Sequence, residues 1–188
     1  MYSILEAEKL IREDNVKIIF MVRDPRGMAP SRMKFNDIYT PEENFNDVVK
    51  GQVKLHPKME VIVTDYCNWL MENHMPESQL PDWLRGKYLV IRYEDTERHQ
   101  SRSVQTIFDF LGLEYHEEDI RQVLEELAKF EVFEEDNNSE RWRKKLRIEE
   151  VKRVQELCTS KLFKELGYKL VKTELELRNS SISLVNDI

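Results

Sequence analysis

The 188-residue chain carries 29 Lys and Arg against 36 Asp and Glu, a formal net charge of -7, with 40% apolar residues. That balance excludes a generalist nucleic-acid binder, which needs a basic excess, so any anion site must be a local cluster. Length and apolar content suit one domain, or part of one, with a real core. No apolar run approaches the ~20 residues of a membrane span, and no basic region followed by an apolar core opens the chain; it is expected neither to insert nor to be exported by a signal of its own.

Ile4, Ala7, Leu10 and Ile11 recur at helical spacing and predict a short amphipathic helix leading into a strand. Five consecutive apolar residues, Ile18 to Val22, then end at Asp24-Pro25. Such a run predicts a strand buried on both faces in a parallel sheet, stopped where Pro25 lacks a ladder donor. Arg23, Asp24, Arg26, Gly27, Ser31 and Arg32 follow at once. In an open α/β sheet ligands sit beyond the carboxyl ends of the strands, and guanidinium groups with a hydroxyl placed there suit an anion.

Met33 to Lys58 is polar and turn-prone, a long connection in which no core is expected. Met59, Ile62, Val63, Tyr66 and Leu70 share one helical face before Pro76. Tyr88 to Ile91 predicts a second buried strand, again ending in charge. Helices are expected over Ser101 to Leu111, capped by Gly112, and around Ile120, Val123, Leu124 and Leu127. One further helix should carry Val151, Val154, Cys158 and Leu162 and stop at Gly167, with a frayed polar tail after Lys172. Cys67 and Cys158 could be two thiols or one disulfide, and Cys158 falls on an apolar face. His56, His74, His99 and His116 show no ligand spacing, and no metal is expected. Two N-glycosylation sequons occur, Asn137-Asn138-Ser139 and Asn179-Ser180-Ser181.

Three blocks in order resemble the Golgi carbohydrate sulfotransferases. RDPRGMAPSR (Arg23 to Arg32) is similar to the 3'-phosphate motif of enzymes using 3'-phosphoadenosine 5'-phosphosulfate. WLRGKYLVIRYEDT (Trp83 to Thr96) resembles that family's second block, and WRKKLRIEEVKRVQELC (Trp142 to Cys158) with the later LGYK resembles its C-terminal segment. The resemblance implies a P-loop NTPase-like sulfotransferase fold of the α/β class, a parallel sheet flanked by helices and incomplete at the N-terminus.

It also implies site residues. Arg23 and Ser31 would hold the 3'-phosphate, and Tyr93 would touch the adenine, its alternative being core packing at a strand end. Trp142 and Arg143 would close over the nucleotide, the alternative being an exposed basic turn before a helix. Glu94 and Asp95 are expected to cap a helix or pair with a base. The acceptor would be a glycan hydroxyl, at carbon 6 of N-acetylglucosamine or a galactose-type residue, in the Golgi lumen or on its membrane.

The chain departs from that family in one large respect. Its five glycines, Gly27, Gly51, Gly86, Gly112 and Gly167, are scattered, and the loop that grips the 5'-phosphosulfate is not among them. Residues 1–172 therefore read as a partial sulfotransferase domain and 173–188 as a polar tail. The catalytic groups are unassigned, and this stretch alone is expected to be inactive; the alternative is a nucleotide-binding or interaction module. A nucleotide kinase would need a Walker lysine loop, which does not occur. Pro30, directly before Ser31, fits a helix only within its first turn.

Overall fold

The computed structural model describes residues 3–14, 16–35, 57–129 and 139–186. They fall into two compact units, Met1–Arg23 with Asn73–Ser139 and Asp24–Glu72 with Glu140–Ile188. Most of the expected polar connection and the sequon asparagine Asn137 lie outside the described residues. In chain order the elements are α1 (Glu8–Glu13), β1 (Ile18–Val22), α2 (Pro25–Phe35), α3 (Pro57–Asn73), β2 (Tyr88–Arg92), α4 (Tyr93–Arg98), α5 (Gln100–Leu111), α6 (Glu117–Lys129), α7 (Trp142–Lys145), α8 (Ile148–Leu157), α9 (Ser160–Glu165) and α10 (Glu174–Arg178). The expected α/β class is observed, with a parallel sheet flanked by helices.

In the first unit β1 and β2 pair in parallel, Ile18 opposite Tyr88 and Val22 opposite Arg92. Phe20 and Tyr88 pack their rings 5.9 Å apart on the covered face. The other face differs from expectation: Ile19 and Met21 are 37% and 50% exposed, so β1 is half-buried. An unbroken apolar run reads as a two-sided strand, but here the described elements cover only the side bearing Phe20 and Val22. The lysine preceding each strand reaches a helix. Lys17 donates to the Phe110 carbonyl in the last turn of α5, and Lys87 to the Ile11 carbonyl in α1 at 2.7 Å, each placing a cation near a helix C-terminus where the dipole favours it. Gly112 ends α5 in the left-handed region, φ +74°, with its N–H and that of Leu113 returning to the Asp109 and Phe108 carbonyls.

The second unit is helical. Pro25 opens α2 at the position where a missing N–H is harmless. Pro30, however, is the sixth residue of that helix, beyond the first turn in which the sequence had room for it, so the Arg26 carbonyl receives no amide from it. Met59, Val63, Cys67 and Leu70 form the buried face of α3. Cys67 is disulfide-bonded to Cys158, and the Glu60 carboxylate of α3 is ion-paired with Arg153 of α8. That pairing holds the Arg153 guanidinium above its ordinary pKa.

Two expectations change in this unit. The single helix through Val151 and Leu162 is two, α8 and α9, because Thr159 takes φ +61° between them. A β-branched residue there is strained, and it is held while its hydroxyl caps α9 by accepting the Leu162 N–H. The stretch after Lys172, expected to fray, instead contains α10 and buries Leu177, Leu184 and Val185. An antiparallel bridge joins Tyr168 to Val185.

Candidate functional site

Register builds the first part of the candidate site. Val22 and Arg92 are partners at the carboxyl ends of β1 and β2, so the residues that follow them, Arg23 and Tyr93, emerge side by side. The Arg23 guanidinium carbon lies 4.4 Å from the Tyr93 ring centroid, a cation–π contact that orients the guanidinium plane. Both side chains are half-buried. Arg92 does not compete for this role: its guanidinium is 3% exposed in side chain and forked onto Asp95, with bonds of 2.6 and 2.9 Å. Asp95 thus pairs with a base, one of its two expected uses, and Glu94 is buried at the start of α4.

Ser31 belongs to the second unit, as the seventh residue of α2, and is half-buried. The start of α2 is held by a buried ion pair. Arg26, fully buried, donates from Nε and Nη2 to the Asp24 carboxylate at 2.6 to 3.1 Å. Its Nη1 reaches Gln155 Oε1 at 3.0 Å and the Lys169 carbonyl at 2.8 Å. Its flat faces meet Trp142 and Phe163, with ring centroids 4.5 and 4.9 Å from the guanidinium carbon. Desolvating a guanidinium so completely is tolerable only with this density of partners. Sequence reasoning missed Arg26 as an anchor, since charged residues are rarely this buried, and the one signal was an aspartate two residues before it across Pro25.

Trp142 and Arg143 also lie in the second unit, and both are buried. The exposed basic turn that was their alternative reading is not what forms. Trp142 covers Arg26, and Arg143 donates to the carbonyls of Leu177, Ile182 and Glu176 at 2.9 to 3.0 Å and to that of Asn179. Within the first unit an open cleft of about 620 Å³ is lined by Leu113, Glu114, Tyr115, His116 and Asp119, none of them a candidate ligand. There the Tyr115 hydroxyl donates to Asp109 at 3.0 Å, a bond that raises its pKa. Among the described residues no cluster of His, Cys, Asp and Glu has the makings of a metal site.

A guanidinium held against a ring at paired strand ends and a hydroxyl on the helix after the first strand are donor types that match phosphate oxygens. Comparison with known proteins places the chain in a family. A family model described as "Sulfotransferase domain" matches residues 3–167. Carbohydrate sulfotransferase 1 of Danio rerio is 32% identical over 184 residues, 92% of this chain and 43% of that protein. Carbohydrate sulfotransferase 1 of Homo sapiens is 30% identical, covering 92% of this chain and 44% of the relative. Carbohydrate sulfotransferase 2 of Homo sapiens is 28% identical, covering 91% and 38%. The chain thus spans less than half the length of these curated relatives. No solved structure matches.

Proposed function

The chain belongs to the sulfotransferase domain family, and from that premise we propose that it is part of a carbohydrate sulfotransferase that takes a sulfuryl group from 3'-phosphoadenosine 5'-phosphosulfate to a glycan hydroxyl. The observation that carries this reading is the stacking of Arg23 on Tyr93 at the paired carboxyl ends of β1 and β2. The donor, when bound, supplies the sulfuryl group and leaves as adenosine 3',5'-bisphosphate. Arg23 offers two parallel N–H donors to the oxygens of the 3'-phosphate, and Tyr93 holds the plane of that fork. The Ser31 hydroxyl, on α2 of the second unit, is assigned to the 3'-phosphate by its place in the RDPRGMAPSR block alone. Tyr93 also serves as an edge for the adenine.

These contacts are remote from the sulfur. They fix the donor in place, so that an acceptor hydroxyl meets it in line, and take no part in bond breaking. The acceptor is a sugar hydroxyl, at carbon 6 of N-acetylglucosamine or a galactose-type residue, and the setting is the Golgi lumen. The disulfide between Cys67 and Cys158 supports an oxidising compartment of that kind. Trp142 and Arg143 contribute indirectly, Trp142 through Arg26 and Arg143 through the C-terminal carbonyls it binds.

Titration calorimetry with adenosine 3',5'-bisphosphate tests the assignment. Arg23→Ala should weaken binding by about 1.5 to 3 kcal/mol, the range for a charged hydrogen bond, which is roughly ten- to a hundredfold in Kd. Unchanged affinity sinks the phosphate assignment. Binding without sulfuryl transfer to any glycan, measured on the full gene product, would leave a nucleotide-binding module in its place.

A further inference from the structure

We propose that Asn179 is an N-glycosylation site, its glycan standing on a turn that Arg143 holds rigid. The proposal rests on the reading that the chain passes through a secretory lumen. Two features of the turn carry it, beyond the Asn179-Ser180-Ser181 triplet itself.

The first is the fold of the triplet. Asn179 follows the last residue of α10, and its carbonyl accepts the Ile182 N–H at 3.1 Å, closing a turn over the sequon. Its side-chain Oδ1 accepts the Ser181 N–H at 3.0 Å. That bond fixes the amide so that its oxygen faces the chain, and among the described residues nothing hydrogen-bonds its Nδ2. Ser180 and Ser181 are both exposed, so the nitrogen stands beside open surface on a segment whose serine hydroxyl is available for recognition.

The second is how the turn is anchored. The buried Arg143 guanidinium donates to the Asn179 and Ile182 carbonyls at the two ends of the turn, and to those of Glu176 and Leu177 in α10. Leu177 on one side and Leu184 on the other are buried. What is buried around the turn is its main chain and the leucines, while Asn179 is half-buried beside the two exposed serines. The other triplet contrasts with it: the Ser139 side of Asn137-Asn138-Ser139 is fully buried, with its N–H bonded to Glu97 Oε2 at 2.9 Å.

The chemistry balances with a lipid-diphosphate-linked oligosaccharide as donor, supplied by the lumenal transferase machinery. A bond forms from Asn179 Nδ2 to C1 of the first sugar while the C1–O bond to diphosphate breaks. The lipid diphosphate leaves with the electron pair, and the amide proton passes to a base of the transferase.

The test uses the full gene product expressed in cultured animal cells. Amide-specific glycosidase should remove one electrophoretic step from the wild type that Asn179→Gln and Ser181→Ala both lack and Ser180→Ala retains. Glycosidase treatment in heavy-oxygen water followed by peptide mapping reads the same site on the wild type, so a variant that fails to fold does not decide the matter. The Cys67–Cys158 linkage is mapped in the same digest. A linked pair with unlabelled Asn179 overturns the glycosylation site while leaving the lumenal reading intact; free thiols with no glycan overturn both.

Discussion

Burial pushes the Tyr88 phenol up to about 12, against a smaller opposing pull from the backbone at Met75, while its hydroxyl donates to the Asn73 carbonyl at 2.9 Å. The sign of the consequence follows from proton counting. Between about pH 10, where a free tyrosine ionises, and the folded value, the native state holds a proton that the unfolded state has lost. Stability from this group is therefore complete below that window and falls by about 1.4 kcal/mol per pH unit as pH rises through it. Denaturant titrations on either side of the window should show a steeper alkaline loss for wild type than for Tyr88→Phe; equal slopes would contradict the burial. At this scale the sequence was informative about residues at strand ends and gave no sign that Arg26 and Arg143 would be buried anchors. Arg23 could be located because it directly follows an apolar run, and Tyr93 because the block around the second run resembles that of the sulfotransferases. Beyond the Asp24 pair, Arg26 reaches Lys169 and Gln155 and Arg143 reaches carbonyls of residues 176 to 182, distant partners that no local pattern encodes.

Among elements, α2 carries the largest local conflict, since it begins well at Pro25 and then contains Pro30. A proline inside a helix removes a hydrogen bond and destabilises by about 3 kcal/mol. The same helix start carries the Asp24–Arg26 pair, closed on four sides by Trp142, Phe163, Gln155 and the Lys169 carbonyl. Removing one partner of a buried ion pair leaves a charge without compensation, so Arg26→Ala should destabilise by about 3 to 5 kcal/mol. Asp24→Asn combined with Arg26→Met should be milder than Arg26→Ala alone, because neither charge remains inside. Chemical unfolding of wild type and the two variants checks this, and a double variant no more stable than Arg26→Ala would refute it. Element ends were legible where glycine made them: Gly112 stops α5 at φ +74° as its position suggested. The break between α8 and α9 was not legible, since Thr159 adopts φ +61° only because Cys158 on one side and the α9 cap on the other hold it there.

At the scale of the whole molecule the disulfide is a covalent tie between residues 91 apart, and both sulfurs are inaccessible. Closing a loop of that length restricts the unfolded chain, which the chain-entropy account values at about 4 to 5 kcal/mol. Cys67→Ser with Cys158→Ser, or reduction under denaturing conditions followed by refolding, should lower the thermal midpoint by an amount matching a loss of about 2 to 5 kcal/mol. A midpoint unchanged by both treatments would show that the bond contributes nothing to the folded state. The sequence by itself determined the α/β class, the parallel pair of strands with charge at their exits, and membership of a sulfotransferase family, because apolar runs and short motifs are local properties of the chain. Only the tertiary structure decided which arginine stacks on a ring at the strand ends and which is walled in, that Cys67 meets Cys158, and that the C-terminal stretch packs. Those outcomes depend on register and on contacts between distant residues, where a guanidinium finds enough carbonyls and rings to leave water, and neither is written in the spacing of neighbouring residues.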